Sequence, residues 1–418
     1  MISVPRALHR GGAVSILPVP HRTCILPGMA NAVRFTPPTV GIVGAGQLAR
    51  MMYQAAIGLG VPIHLLAEDA NDSAARIGSR VKLGSPRSED DLTRFAAECD
   101  VLTFDHELVD ADVLTQLEQS GATVHPGADV VALAQNKATQ RSTLRLLSFP
   151  VPAFREVDSL SGLLAFAEAH AWPVVLKAIR GGYDGRAVWI LNDASAVAAV
   201  WREIDHLPGG LLVEAHIPID REIAVLAARR PSGDVTVYPP VETIQRNGIC
   251  RELLAPARVS TELRVEAERL AAALARTIGA VGMLAVELFV AGDRLIVNEI
   301  AARPHNSGHY TIEGCLTSQF EQHLRAILDW PLGSTKLVTP AVATVNLLGA
   351  SDGSDPATRL DEALAVPGAH LHLYGKQART GRKLGHVTAL GDTIAGARQC
   401  ARDAAERLGV APLAEVST

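Results

Sequence analysis

The sequence predicts a mixed α/β and α+β fold in three units: a doubly wound parallel sheet, a strand-rich central unit and a small C-terminal unit. Three observations carry this. Between residues 36 and 134, short apolar runs alternate with polar, helix-compatible stretches, the order that builds parallel βαβ sheets. Beyond residue 135 the runs take on hairpin-like spacing. The 418 residues also exceed one compact core, at roughly 100–200 residues per domain.

Taken in order, residues 1–35 stand apart. They carry Arg6, Arg10, Arg22 and Arg34 without an acid, and prolines at 5, 18, 20 and 27. A signal peptide needs an unbroken apolar stretch and a small-residue cleavage site. Residues 13–19 supply neither, so the segment reads as a disordered tail or as a start codon placed upstream of Met29. In the first unit, strands are expected at 39–43, 61–67, 81–83, 101–104 and 122–124. Helices are expected from Gly46 to Leu59, at 88–99 and at 110–120. In the second unit, residues 135–330, strands fall at 174–177, 187–191, 211–215, 222–228 and 235–238. An amphipathic helix at 261–278 then leads to strands at 284–290 and 294–300, turned by Ala291-Gly292-Asp293. A helix over 318–328 stops before Trp330-Pro331. Strands and a last helix at 392–408 form the third unit, residues 331–418.

Composition narrows the class. A net charge of −5 offers no basic face for nucleic acid. The 48% hydrophobic content excludes disorder for most of the chain, and no apolar run reaches the ~18 residues of a membrane span. Cys24, Cys99, Cys250, Cys315 and Cys400 are scattered with no CxxC pair, which fits a reduced compartment and argues against a zinc site. The chain reads as a cytoplasmic enzyme.

Five motifs carry chemistry. Gly44-x-Gly46-x-x-Ala49 with Glu68 downstream has dinucleotide spacing, although another phosphate or a purely structural tight turn would use the same glycines. Arg180-Gly181-Gly182-Tyr183-Asp184-Gly185-Arg186 follows the strand of Lys177. It is either a surface hairpin or a loop whose N–H groups fold over phosphates beside a lysine point charge. Glu287 and Asn298-Glu299 sit on paired strands and offer hard oxygen donors suited to Mg²⁺; a solvated strand face is the alternative. Arg303-Pro304-His305-Asn306-Ser307-Gly308-His309 gathers donors for an anion clamp or caps a loop. Lys376, Arg379, Arg382 and Lys383 lie close together, as a solvated turn or a substrate-phosphate clamp.

Together these motifs resemble the ATP-grasp ligases. Asn298-Glu299-Ile300-Ala301, His305-Asn306-Ser307-Gly308-His309, Gly381-Arg382-Lys383-Leu384-Gly385-His386 and Gly46-Gln47-Leu48 narrow the resemblance to the 5-(carboxyamino)imidazole ribonucleotide synthase family (PurK family) of purine biosynthesis. It spans Pro38 to the last helix.

The resemblance implies a pre-ATP-grasp domain at 36–134, an ATP-grasp domain at 135–330 with a glycine-loop subdomain at about 142–216, and a C-terminal domain at 331–418. It implies ATP held by Lys137, Lys177, Gly182, Tyr183, Asp184, Gly185, Arg186, Glu214, Ala215, His216, Ile217, Glu222, Gln245, Asn298 and Glu299. Glu214 and the backbone beside it would read adenine, and Glu222 the ribose. Glu287 and Glu299 would hold Mg²⁺. Aminoimidazole ribonucleotide would meet Gln47, Glu107, Tyr183, Asp184, Arg303, His305, Asn306 and Ser307, and its phosphate Lys376, Arg379, Arg382 and Lys383. Lys177, Asp184, Arg303 and His305 would be catalytic. Bicarbonate is the implied third substrate and a homodimer the implied assembly, with no nucleic acid or membrane partner. Four departures stand out: Lys137 near Asn136 where arginine is common, Ala187 where glycine is usual, Gln245 for a frequent histidine, and Phe104-Asp105-His106-Glu107 for Phe-Glu-x-Glu. The rivals are an ATP-grasp enzyme with another acid or amine, a nucleotide-responsive binding protein and an NAD-linked oxidoreductase. The Glu287/Asn298-Glu299 set argues against the last two.

Overall fold

The computed structural model describes residues 36–181, 187–204 and 209–410. The expectations for residues 1–35 and for Gly182, Tyr183, Asp184, Gly185 and Arg186 lie outside them.

The first unit is a parallel sheet in the order Val81–Leu83, Ile63–Ala67, Val40–Val43, Val101–Phe104. Val124 adds a parallel bridge to Leu102. Helix Gln47–Leu59 covers one face with Leu48, Met51 and Met52, joined by Phe320, Leu324 and Ile327 of helix Gln319–Ile327. Helices Glu89–Ala96 and Ala111–Gln119 cover the other through Leu92, Phe95, Leu114 and Leu117. Burial of both faces explains why these strands read as continuous apolar runs. The Ser88 and Asp110 side chains accept main-chain hydrogen bonds at the starts of the latter two helices, which fixes where each begins. The doubly wound parallel sheet forms as expected.

The central unit contributes to two sheets. The smaller is antiparallel, in the order Phe154–Val157, Leu211–Ala215, Val174–Ala178, Val188–Leu191. Leu163, Phe166, Val197 and Ile204 of helices Leu160–His170 and Ala194–Ile204 pack on its Leu176 and Val213. The larger runs Arg294–Ala301, Gly282–Ala291, Arg221–Arg229, Val241–Arg246, Ile249–Ala255, Ala341–Leu348, Lys383–Gly391, Ala369–Leu373, with Val235–Val237 paired to Arg221–Arg229. Ile249–Ala255 pairs antiparallel with Ala341–Leu348. The C-terminal strands therefore extend the central sheet.

Strands Val241–Arg246 and Ile249–Ala255 are not among those expected from sequence. Glu242 and Glu252 interrupt their apolar pattern, yet both are buried. Arg221 and Arg258 pair with the first, and Arg398 and Arg402 with the second. The turn between the strands is Asn247-Gly248, at φ 53° and 71°, as a two-residue hairpin requires.

Candidate active site

The site is built on a β-bulge. Glu287 pairs with Glu299 across the hairpin, but the next pair is Leu288 with Val297, which leaves Asn298 as the extra residue. Successive residues of a regular strand face opposite sides; a bulge re-aims one of them. Asn298 thereby joins the same cluster as its neighbour. Its Nδ2 lies 3.5 Å from Glu287 Oε2, and its Oδ1 accepts from Lys177 Nζ at 3.2 Å.

Cations reach this cluster from two other elements. Lys137, first residue of helix Lys137–Leu146, donates to Glu299 at 2.6 Å. Lys177 comes from the small sheet and also pairs with Glu214 at 2.7 Å. Arg141 occupies the other Glu214 oxygen at 2.6 Å. Burial would push the Glu214 carboxyl up, but Lys177 and Arg141 hold it below the usual range. Burial also lowers Lys177, since its counter-ion is shared. Glu214 thus anchors Lys177 through one oxygen and Arg141 through the other.

The carboxylates around the bulge crowd one another. Burial lifts Glu287, and Glu299 and Glu222 repel it further. Glu222 is pushed up to about 7, chiefly by burial. Burial would push Glu299 up, but Lys137, with Lys177 and His305, holds it low, so it stays ionised. Acids so disposed are relieved by a divalent cation, and an all-oxygen donor set suits Mg²⁺. Glu287 and Glu299 therefore fit the metal expected of them.

A second donor group lies beside the first. Arg303 Nε donates to Glu107 at 2.7 Å, tying the loop to the first unit. Ser307 N donates to His305 Nδ1 at 3.3 Å, so the imidazole proton resides on Nε2, 3.7 Å from Glu287 Oε1. Gln319 clasps the loop, accepting from His305 N at 2.9 Å and donating to His305 O at 2.7 Å. A Cβ on Gly308 would lie 2.3 Å from Gln319 Oε1, hence the glycine. Asn306 and Ser307 form the short turn that follows.

Lys376 Nζ contacts Gln47 Oε1 of the first helix. Burial pushes Lys376 down to about 8, and Arg382 adds repulsion. Lys383 opens its strand and acts electrostatically on Glu287. Arg379 is exposed and donates to Gln377 of its own loop at 3.2 Å.

The Gly44–Ala49 motif has a structural occupant. The buried Asp105 carboxylate accepts from Gly46 N at 2.5 Å, and a Cβ on Gly44 would lie 1.8 Å from Asp105 Oδ1. Asp105 thus takes up a main-chain N–H of this turn. Residues 216–219, with exposed His216, leave strand Leu211–Ala215 and cross to Arg221–Arg229 beside Ile217. Gln245 is half-buried in Val241–Arg246; no hydrogen bond or ion pair among the described residues links it to the bulge. Arg141, Asp105 and Gln319 were not singled out from sequence. Only Asp105 carried a signal, as a departure beside Glu107.

Known proteins share this architecture. Residues 38–135 match the ribonucleotide synthetase preATP-grasp domain, 142–320 the ATP-grasp domain, and 343–400 the phosphoribosylaminoimidazole carboxylase C-terminal domain. An N5-carboxyaminoimidazole ribonucleotide synthase from Mycobacterium tuberculosis is 44% identical over 368 residues, 86% of this chain and 85% of that one. Its counterpart from Corynebacterium ammoniagenes is 41% identical over 379 residues, 89% and 92% of the two chains. An ADP complex of N5-carboxyaminoimidazole ribonucleotide synthetase superposes with a TM-score of 0.83 at 36% identity, over 88% of this chain and 97% of that one. The Aspergillus clavatus enzyme with ADP and 5-aminoimidazole ribonucleotide gives 0.81 at 31%, over 89% and 99%. The chain belongs to the N5-carboxyaminoimidazole ribonucleotide synthase family and is an ATP-grasp enzyme.

Proposed function

We propose that the protein carboxylates 5-aminoimidazole ribonucleotide with bicarbonate at the expense of ATP. The products are N5-carboxyaminoimidazole ribonucleotide, ADP and phosphate, in de novo purine biosynthesis. One observation carries this reading: Lys137 and Lys177 reach Glu299 and Asn298 beside the Glu287–His305 contact, while Arg303 pairs with Glu107 and acts with Lys376 on Asp105.

Lys177 and Lys137 neutralise the ATP phosphates, with the backbone at Ala215, His216 and Ile217 against adenine and Glu222 at the ribose. Glu214 anchors Lys177 and, with the backbone beside it, remains assigned to adenine. Gly182, Tyr183, Asp184, Gly185 and Arg186 remain assigned to the nucleotide and substrate, and Gln245 to the nucleotide. Glu287 and Glu299 hold Mg²⁺, which when bound neutralises charge developing on the phosphates. A bicarbonate oxygen attacks the γ-phosphorus, the bond to ADP breaks, and carboxyphosphate forms. Arg303 and the His305 Nε2–H orient that anion by donating to its oxygens. The amine nitrogen then bonds to the carboxyl carbon, directly or through released CO₂, phosphate leaves and the amine proton departs with it. Gln47, Glu107, Asn306 and Ser307 surround the imidazole and ribose, and Lys376, Arg379, Arg382 and Lys383 take the phosphate.

A homodimer in the cytoplasm completes the proposal. The resemblance supports both, and no helix among the described residues is long and apolar enough to cross a membrane. The test strips CO₂ from the buffer and restores labelled bicarbonate. ADP release should then require bicarbonate and the ribonucleotide together, with label in an acid-labile carbamate. ADP formation indifferent to bicarbonate would overturn the reading.

A further inference from the structure

Three stacked imidazoles lie behind the site and take no part in the chemistry above. His386 is sandwiched between His309, at 4.7 Å between ring centroids and 21° between planes, and His372, at 4.4 Å and 14°. His372 pairs with Glu313 at 2.6 Å. The Tyr374 hydroxyl and His386 Nδ1 are 2.7 Å apart, with both side chains buried.

The sequence positions of these groups matter. His309 closes the loop that carries His305 and Ser307. His386 lies three residues past Lys383, and Tyr374 two residues before Lys376. The segment from Tyr374 is in turn pinned to the first unit. Ser73 Oγ donates to Tyr374 O at 2.6 Å, Arg76 to Gly375 O at 2.8 Å, and Lys376 meets Gln47. The His386 ring thus touches the side chains that lead to the His305 loop and to Lys376, and its own strand carries Lys383. Phenylalanine would fill the same stack without burying ring nitrogens. His309, with neither nitrogen bonded among the described residues, and His386, with Nε2 unpartnered, carry that cost.

We propose that Tyr374, His386 and His309 are positioning residues that hold Lys376 and Lys383 in register with the His305 loop, and so set affinity for the ribonucleotide. This rests on the function proposed above. Burial keeps His309 and His386 neutral, so they act by packing and by the tyrosine link, without moving a proton.

The test is steady-state kinetics of the full chain with each substrate varied. His386→Phe keeps the stack but strands the Tyr374 hydroxyl. It should raise KM for aminoimidazole ribonucleotide about tenfold, the effect of one buried unpaired group, with KM for ATP within about twofold. Tyr374→Phe should act alike, the double variant should be no worse than either, and His386→Asn should restore much of the loss. Should His386→Phe fail to fold, Tyr374→Phe carries the same comparison. Equal rises in both KM values, additive losses or no change would overturn the positioning role. Wild-type enzyme that never uses the ribonucleotide would instead overturn the function on which it rests.

Discussion

Thr103 and His323 meet at 2.7 Å across 220 residues of sequence. Met283 N donates to His323 Nδ1 at 3.0 Å, so Nε2 carries the proton and donates to Thr103 Oγ1. One neutral imidazole thereby joins the parallel sheet to the floor of the active site. Burial pushes it down to about 3 from 6.5. Between those values the unfolded chain binds the proton and the folded chain does not, so stability rises with pH there. We expect thermal stability to be full above about pH 6.5 and to fall towards pH 3, by about 3–5 kcal/mol at the limit. Melting temperatures against pH for wild type and His323→Phe check this: the variant should be less stable at pH 7 and show a shallower acid limb.

Glu299→Gln keeps the shape of the bulge but removes the charge that Lys137 and a magnesium ion would share. Turnover should drop about 100-fold or more, since even outer-shell partners of metal ligands cost 10–100-fold. The melting temperature should stay near wild type, because the Glu287–Glu299 repulsion disappears as well. ADP release across a magnesium titration checks it, and near-normal activity at ordinary magnesium would refute the assignment.

Burial pushes the Lys376 ammonium down to about 8. It is cationic below that value and neutral above it. KM for the ribonucleotide should therefore climb as pH passes through about 8, while KM for ATP does not follow. Lys376→Met should raise the ribonucleotide KM roughly 10–100-fold at pH 7, the worth of a charge-assisted contact. It should also erase that limb.

Ala187 adopts φ 58° at the start of the strand opposite Lys177, where its carbonyl accepts from Ala178 N at 3.0 Å. A left-handed alanine costs about 1–2 kcal/mol, and glycine escapes this at some cost in chain entropy. Ala187→Gly should stabilise the protein by about 0.5 kcal/mol, read as a small upward shift in denaturant midpoint. A downward shift would show that the turn favours alanine.

Much of the site was legible because its chemistry is local in sequence. Lys177 beside a glycine run, Glu287 opposite Asn298-Glu299 and the donors of 303–309 each declare a charge pattern that a plain core strand lacks. What escaped depends on distance. Nothing near Glu214 reveals that Arg141 and Lys177 take both its oxygens, and nothing near Gly44 reveals Asp105 behind it. Glu242 and Glu252 made two central strands look polar, because the arginines that neutralise them come from other elements. Asn247-Gly248 is a readable hairpin signal, masked by the acids in the runs beside it. The bulge at Asn298 is a matter of register, which residue types alone do not encode.

The pairing of Ile249–Ala255 with Ala341–Leu348 bears on how the chain tolerates being cut. A fragment ending near residue 340 would leave the row of N–H and C=O groups on Ile249–Ala255 without its neighbour, and bare edges of this kind recruit strands from other molecules. The complementary piece would present the matching edge of Ala341–Leu348. Truncated chains, whether from premature termination or proteolysis between the units, should therefore accumulate as insoluble aggregate. Supplying the missing piece during synthesis should rescue them, with each fragment acting as the template that completes the other.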